Sequence, residues 1–188
     1  MPSFDPATTA LVLIDLQNGI VGLNCAPLTG PEVVATARDL AARFREAGAP
    51  VVLVHVGWRS DAERASTAVD MPAKSPPGGL PAEWSQLVDG LREPGDIVVL
   101  KHHWGAFTGT DLDLQLRRRG VKTIVLAGIA TNFGVESTAR SAWELSYDTV
   151  IVEDATTGLS AELHAFAFAN IFPHIAKVTT ADELTLTA

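Results

Sequence analysis

Two charged residues, each directly after an apolar run, are the first candidates for chemistry in this sequence. Asp15 closes the run LVLID and Lys101 closes the run IVVLK. Burial at the end of such a run raises the pKa of a carboxyl group, whereas a neighbouring ammonium lowers it again. A carboxylate and an ammonium held together are therefore suited to proton transfer. Taken singly, Asp15 could equally be a carboxylate that caps a neighbouring turn. Lys101 could equally be an ordinary lysine whose aliphatic stem is buried while its ammonium reaches solvent.

A third candidate offers backbone groups rather than a side chain. The segment GIATNFG, residues Gly128–Gly134, lies between an apolar run and a helical pattern. Backbone N–H groups at the start of a helix, with glycines that permit close approach, can hold an anion or a developing oxyanion. Glycines after a strand also serve tight turns, so this signal is weak by itself.

The elements that must position these residues follow from apolar runs rich in β-branched residues. The runs recur at intervals of about 25 to 45 residues, which suits strand–helix–strand crossovers. Most are continuous rather than alternating, as in parallel strands covered on both faces. The predicted fold is α/β, a three-layer doubly wound domain with six parallel strands. These are Ala10–Asp15, Pro50–Val56, Asp96–Lys101, Lys122–Ala127, Asp148–Glu153 and Ala176–Thr179.

Helical patterns separate most of these strands. Each begins near a proline or a capping residue, with Asn132 as the predicted cap of the third and Ser160 as that of the fourth. The predicted helices are Pro31–Ala47, Asp111–Arg119, Phe133–Ser146 and Ser160–Phe172. The segment Trp58–Pro81, rich in proline and glycine, has no such periodicity and is predicted to be a lid or an oligomer contact. Because ligands bind at the carboxyl ends of parallel strands, all three candidates are expected in one site.

Composition limits the classes of function. The chain has 188 residues, 47% of them hydrophobic and 19% charged, which is enough for one core, and we expect a single domain over residues 1–188. A net charge of −8 argues against a nucleic-acid partner. The lone Cys25 and an N-terminus without a signal-peptide pattern favour a cytoplasmic protein with no membrane partner. With His55 alone on its strand and no dinucleotide glycine fingerprint, we expect neither a metal nor another cofactor.

Four segments in order resemble the isochorismatase-like, or cysteine hydrolase, superfamily. They are LVLIDLQNG, Lys101 followed by Ala106–Phe107, GIATNFGVESTAR, and VEDATTGLSAELH with VTTADEL. The resemblance runs from about Thr9 to Thr185, and the superfamily includes nicotinamidases, N-carbamoylsarcosine hydrolases and isochorismatases. It implies a sheet of order 3-2-1-4-5-6 and a cis Ile129–Ala130 bond that directs backbone N–H groups into an oxyanion hole. It also implies a homodimer or higher homo-oligomer.

The sequence departs from the superfamily at Gly134. Members that cleave C–N bonds use Asp, Lys and Cys, and the resemblance places their cysteine at this position. Glycine has no side chain, so no thioester can form there. Cys25 lies in a predicted loop, where a lone cysteine is typical of a small buried hydrophobe rather than a nucleophile.

Three hypotheses follow. The leading one is hydrolysis of a small carboxylated metabolite, with Asp15 as acid or base, Lys101 as its electrostatic partner and the Ala130–Gly134 backbone as anion site. By the resemblance, its best-defined version is isochorismate-type vinyl ether hydrolysis with Asp15 as general acid. The second is C–N hydrolysis of an amide or carbamoyl group through water activated by Asp15. The third is a non-catalytic protein that kept the pocket to bind a ligand or a partner.

Further candidates surround the three strand ends. Arg59 and Arg64, just beyond the second strand, could bind a carboxylate as a fork. The predicted substrate-binding residues are Gln17, Trp58, Arg59, His102, Trp104, Phe107, Ala130, Thr131 and Phe133.

Overall fold

A sheet of six parallel strands forms the centre of the protein. The computed structural model describes residues 3–64, 68–72 and 79–187. A separate pair of short parallel strands, β1 (Ser3–Phe4) and β8 (Thr185–Leu186), joins the two ends of the chain. The order of the central sheet is β4-β3-β2-β5-β6-β7, which confirms the predicted topology. Its strands are β2 (Thr9–Ile14), β3 (Val51–Val56), β4 (Ile97–Lys101), β5 (Thr123–Ile129), β6 (Asp148–Thr157) and β7 (Lys177–Thr179).

Helices cover both faces of this sheet, as the continuous apolar strands require. Alternate residues of β2 enter opposite cores: Leu11 and Leu13 meet Phe44 of α2, whereas Val12 and Ile14 join the cluster formed with α3 to α6. None of the described helices is both long and apolar enough to cross a membrane. The helices are α1 (Asn18–Val21), α2 (Gly30–Glu46), α3 (Leu112–Arg118), α4 (Glu136–Glu144), α5 (Ala161–Asn170) and α6 (Phe172–Ile175).

The local sequence explains where two helices begin. Thr29 caps α2 in a reciprocal capping box with Glu32. The hydroxyl of Ser160 accepts a hydrogen bond from the N–H of Leu163 at 3.3 Å, which confirms the predicted cap of α5. The prediction that Asn132 caps a helix starting at Phe133 is wrong. Residues Thr131–Val135 form a single π-helical turn, and α4 begins only after it.

The predicted lid, Trp58–Pro81, falls partly outside the described residues, because 65–67 and 73–78 are not among them. Its first part contains a short 3-10 helix, Asp61–Glu63. Just after the predicted lid, backbone hydrogen bonds join the chain to the start of α1. The N–H groups of Asn18 and Gly19 donate to the carbonyls of Gln86 and Trp84, each at 2.9 Å. The segment that follows the predicted lid therefore returns to the carboxyl end of β2.

Gly128 sets the distance between β5 and β2 at the point where the site begins. It pairs with Ile14 in the sheet and has a φ of +126°. A Cβ added there would lie 2.2 Å from the carbonyl oxygen of Ile14, closer than any packing adjustment could accommodate. The pairing with Ile14, the residue that precedes Asp15, therefore requires glycine at position 128.

We expect Gly128→Ala to lower the free energy of unfolding by several kcal/mol, because the added methyl meets backbone and the φ is unsuitable for alanine. Urea denaturation measures this. Gly22→Ala is the matched control: Gly22 has a φ of −78° and its nearest neighbour would be 3.6 Å from the new Cβ, so its effect should stay within about 0.5 kcal/mol. Equal stability of the two variants would contradict this account of the β2–β5 spacing.

Candidate active site

A buried ion pair lies across the carboxyl end of β3. Asp15 directly follows β2, and Lys101 is the last residue of β4, so β3 separates their backbones. The Lys101 side chain, 1% exposed, reaches over this strand and places Nζ 2.8 Å from Oδ2 of Asp15. Its Nζ also donates to the carbonyl oxygen of Trp104 at 2.5 Å. The structure therefore brings together the two charged residues that the sequence singled out.

The two oxygens of the Asp15 carboxyl group have different surroundings. Oδ2 accepts from Lys101, whereas Oδ1 is buried and has no hydrogen-bond partner in the described part of the chain. Burial raises the pKa of Asp15 from its ordinary value to about 6, although the charge and the hydrogen bond of Lys101 both lower it. A proton on this carboxyl group belongs on Oδ1, because Oδ2 faces the ammonium.

Gly134 faces this pair from the π-helical turn. A Cβ added to Gly134 would lie 3.1 Å from Oδ2 of Asp15, 3.1 Å from Nζ of Lys101 and 3.0 Å from Cγ2 of Ile14. The turn is anchored by Thr138, whose hydroxyl donates to the Gly134 carbonyl at 2.7 Å. Any side chain at position 134 would therefore project directly onto the carboxylate and the ammonium.

The turn itself follows a cis peptide bond between Ile129 and Ala130, as the family resemblance implies. The carbonyl of Ala130 accepts from the N–H groups of Phe133 and Val135 at 3.1 and 3.2 Å. These bonds wind the chain tightly up to Gly134, the residue of the turn that faces the ion pair. The anion site predicted for the Ala130–Gly134 backbone falls in this turn and stays a prediction.

An aromatic pair stands on the solvent side of the ion pair. The rings of Trp104 and Phe133 meet edge to face with centroids 4.9 Å apart, and Trp104 is 63% exposed. Since the Trp104 carbonyl holds Lys101 and Phe133 belongs to the turn that carries Gly134, both rings border the site. Their positions are compatible with the predicted contact with substrate.

Two predicted substrate-binding residues are placed elsewhere. Phe107 packs against Tyr147, with ring centroids 5.7 Å apart, in the core on the α3 and α4 side of the sheet. The hydroxyl of the fully buried Thr131 lies 2.8 Å from Nδ1 of His164 on α5, away from the ion pair. Burial lowers the pKa of His164, which favours the neutral imidazole. The side chains of Phe107 and Thr131 therefore support the site through packing and position.

Gln17 is likewise structural. Its Nε2 donates to the carbonyls of Val56 and Trp84 at 3.0 and 3.1 Å, and its Oε1 accepts from the N–H of Val56 at 2.7 Å. Both amide donors are thus used, and the side chain is completely buried. Gln17 joins the end of β3 to the segment around Trp84 rather than presenting its amide to a ligand.

Trp58, Arg59 and His102 lie beyond the ends of β3 and β4. The indole N–H of Trp58 donates to the His102 carbonyl at 2.9 Å, and Nδ1 of His102 lies 2.6 Å from the Gly57 carbonyl. Arg59 is mostly exposed and pairs with Glu63 at 2.9 Å. Trp58 and Arg59 border a cleft of about 390 Å³, whose lining does not include His102. The cleft also involves Trp84, a residue that sequence reasoning missed because nothing local links it to the site.

The side chain of Asn132 is a further feature that the sequence did not assign to the site. Its Oδ1 is buried and has no hydrogen-bond partner among the described residues, as is also true of Oδ1 of Asp15. The sequence predicted helix capping for this side chain and included only the Asn132 backbone in the anion site. The described residues contain no group of three or more His, Cys, Asp or Glu side chains that could hold a metal ion.

A doubly wound sheet with a buried carboxylate–ammonium pair at its carboxyl end places the molecule among α/β proteins whose ligands bind at that edge of the sheet. The isochorismatase domain matches residues 9–183. An uncharacterized isochorismatase family protein of Escherichia coli O157:H7, YecD, is 52% identical over 186 residues, which cover 98% of each chain. The ureidoacrylate amidohydrolase RutB of Methylobacterium radiotolerans is 38% identical over 90% of this chain and 75% of its own.

Among solved structures, an isochorismatase family protein from Burkholderia thailandensis aligns with a TM-score of 0.92 and 49% identity. The alignment covers 97% of this chain and 96% of that one. The chain belongs to the isochorismatase family of hydrolases.

Replacing the ammonium tests the electrostatics of the pair. In Lys101→Met we expect the pKa of Asp15 to rise above its value of about 6, because burial remains and the two influences that lower it are gone. A carbon-13 NMR titration of the Asp15 carboxyl group measures this. Lys122→Met, which removes an exposed lysine, should leave the titration unchanged. An Asp15 pKa in Lys101→Met that is equal to or below the one measured in wild type would contradict the assignment.

Proposed function

We propose that the protein hydrolyses a small carboxylated metabolite without a covalent enzyme intermediate, with Asp15 as its acid or base. The observation that carries this proposal is the Asp15–Lys101 pair facing a backbone position that has no side chain. A nucleophile attached at position 134 is impossible, and in this proposal water attacks the substrate instead. Lys101 keeps Oδ2 occupied and leaves Oδ1 as the oxygen that exchanges a proton with substrate or water.

The best-defined reaction is hydrolysis of a vinyl ether of the isochorismate type. Oδ1 of protonated Asp15 gives its proton to the terminal carbon of the enol ether, and the adjacent carbon becomes an oxocarbenium ion. Water adds to this carbon, a proton returns to Asp15, and the resulting hemiketal collapses to pyruvate and an alcohol. With a pKa of about 6, roughly a tenth of the Asp15 side chains carry this proton at pH 7.

The second reaction is C–N hydrolysis, which the similarity to a ureidoacrylate amidohydrolase supports. Ionised Asp15 takes a proton from water, and the hydroxide attacks the amide or carbamoyl carbon. The backbone of Ala130–Gly134 stabilises the oxyanion, and Asp15 returns the proton to the leaving nitrogen. This route uses the form of Asp15 that predominates at pH 7.

Wild type and Asp15→Asn should be compared on isochorismate and on a panel of amides and carbamoyl compounds. We expect wild type to release pyruvate or ammonia, and Asp15→Asn to lose at least about 100-fold in rate, since asparagine cannot transfer the proton. Asp89→Asn, which removes an exposed carboxylate, is the control. Full activity in Asp15→Asn would falsify the role of Asp15. No turnover of any compound would favour the non-catalytic hypothesis.

The pH dependence of kcat/KM separates the two reactions. An acid with a pKa of about 6 is protonated below that pH, so vinyl ether hydrolysis should slow by about tenfold per pH unit above it. A base with the same pKa is ionised above that pH, so C–N hydrolysis should rise towards a plateau above pH 6. In Lys101→Met the inflection should move to higher pH in either case. A profile that is flat from pH 5 to 8 would contradict both.

A further inference from the structure

A histidine outside the ion pair is tied to the turn that faces it. His164 lies on α5 and is 4% exposed, and its Nδ1 lies 2.8 Å from the hydroxyl oxygen of Thr131. Thr131 is the first residue of the π-helical turn and is completely buried. The hydrogen bond therefore joins α5 to the start of the segment that carries Gly134.

The local sequence determines where the imidazole stands. Ser160 caps α5, and the N–H of His164 donates to the Ser160 carbonyl at 3.0 Å, so the histidine lies one turn into the helix. Residues four apart share a face of a helix, and the imidazole packs against Phe168 with ring centroids 4.5 Å apart. Phe168 in turn meets Phe172 edge to face at 4.8 Å. Aromatic contacts thus fix the imidazole, with Nδ1 towards Thr131.

The second ring nitrogen of His164 has a weaker contact. Its Nε2 lies 4.0 Å from Oε1 of Glu153, which is too long for a hydrogen bond, and the Glu153 side chain is 49% exposed. Burial lowers the pKa of His164, which disfavours the charged form that an ion pair with Glu153 would need. The close polar contact of the imidazole is therefore the one with Thr131.

The position of Thr131 affects the ion pair through Gly134. The π-helical turn spans only five residues, and Gly134 lies three residues after Thr131. A Cβ on Gly134 would lie 3.1 Å from both Oδ2 of Asp15 and Nζ of Lys101. A shift at the start of so short a turn would therefore change how closely its end covers the carboxyl group.

We propose that His164 is a positioning residue, whose bond to Thr131 holds the π-helical turn, and with it Gly134, against the Asp15–Lys101 pair. The inference rests on the proposed function in taking proton transfer by Asp15 as the step that the turn governs. His164 acts through the turn, not on the substrate. A turn held in this way keeps water from Asp15, and burial is the largest influence on the pKa of that carboxyl group.

The pKa of Asp15, measured by carbon-13 NMR titration, tests this role without requiring turnover. Thr131→Val replaces the hydroxyl with a methyl group of similar size. We expect it to lower the Asp15 pKa by about 1, because a loosened turn admits water to the carboxyl group. Thr131→Ser keeps the hydroxyl and should retain the wild-type value.

Thr149→Val is the matched control. Thr149 is 5% exposed, and its hydroxyl donates to the Tyr147 carbonyl at the amino end of β6, the edge of the sheet opposite the site. This variant also loses a buried hydroxyl, so it should lower the urea midpoint as Thr131→Val does. The Asp15 pKa should stay at its wild-type value.

Two amides test the histidine itself. Asparagine carries its polar atoms on Cγ, as histidine carries Nδ1, whereas those of glutamine lie one bond farther out, like Nε2. We expect His164→Asn to retain most of the wild-type Asp15 pKa and His164→Gln to lower it as much as Thr131→Val. Combining His164→Gln with Thr131→Val should lower it no further than either change alone, since both remove the same bond.

An unchanged Asp15 pKa in Thr131→Val and His164→Gln, with only the urea midpoint lowered, would overturn the proposal and leave His164 a structural residue. An equal fall in Thr149→Val, or additive falls in the combined variant, would overturn it as well. If His164→Gln does not fold, the comparison of Thr131→Val with Thr131→Ser decides. The titrations give their answer whether or not any compound of the panel is hydrolysed, so failure of the catalytic proposal remains a separate result.

Discussion

The ion pair between Asp15 and Lys101 is the constraint on which the rest of the site depends. Removing two charges from water is costly, and a buried pair persists only where geometry and further hydrogen bonds compensate. Here the compensation comes from a separation of 2.8 Å and from the Trp104 carbonyl, which accepts a second bond from the ammonium. The loop after β4 and the end of β2 are thereby fixed relative to each other across β3.

The absence of a side chain at position 134 decides what this pair can do. A side chain at position 134 would lie against both the Asp15 carboxylate and the Lys101 ammonium. The pair is therefore placed to act on a group attached at that position. With glycine, the carboxyl group has one oxygen on Lys101 and one without a partner among the described residues. Its chemistry is then limited to proton transfer to substrate or water, and burial has brought its pKa into the range where both protonation states are accessible.

The sequence predicted the fold and the centre of the site well, because both depend on strongly patterned features. Continuous apolar runs mark strands covered on both faces, and parallel strands bring their carboxyl ends to one edge. Asp15 and Lys101 could be placed together for that reason alone. The outer parts could not be predicted in this way. Trp84 reaches the site by tertiary contacts with Gly19 and Trp58, and Phe107 turns into the core although its neighbour Trp104 is exposed.

The π-helical turn is a further feature that the local sequence pattern did not predict. Asn132 fits the sequence pattern of a helix cap, yet the five residues from Thr131 wind as a π turn before α4 begins. Two contacts distant in sequence hold the turn: the Thr131 hydroxyl meets His164, and the N–H of Ala106 donates to the Thr138 hydroxyl, which in turn donates to the Gly134 carbonyl. Local preferences could not reveal these partners.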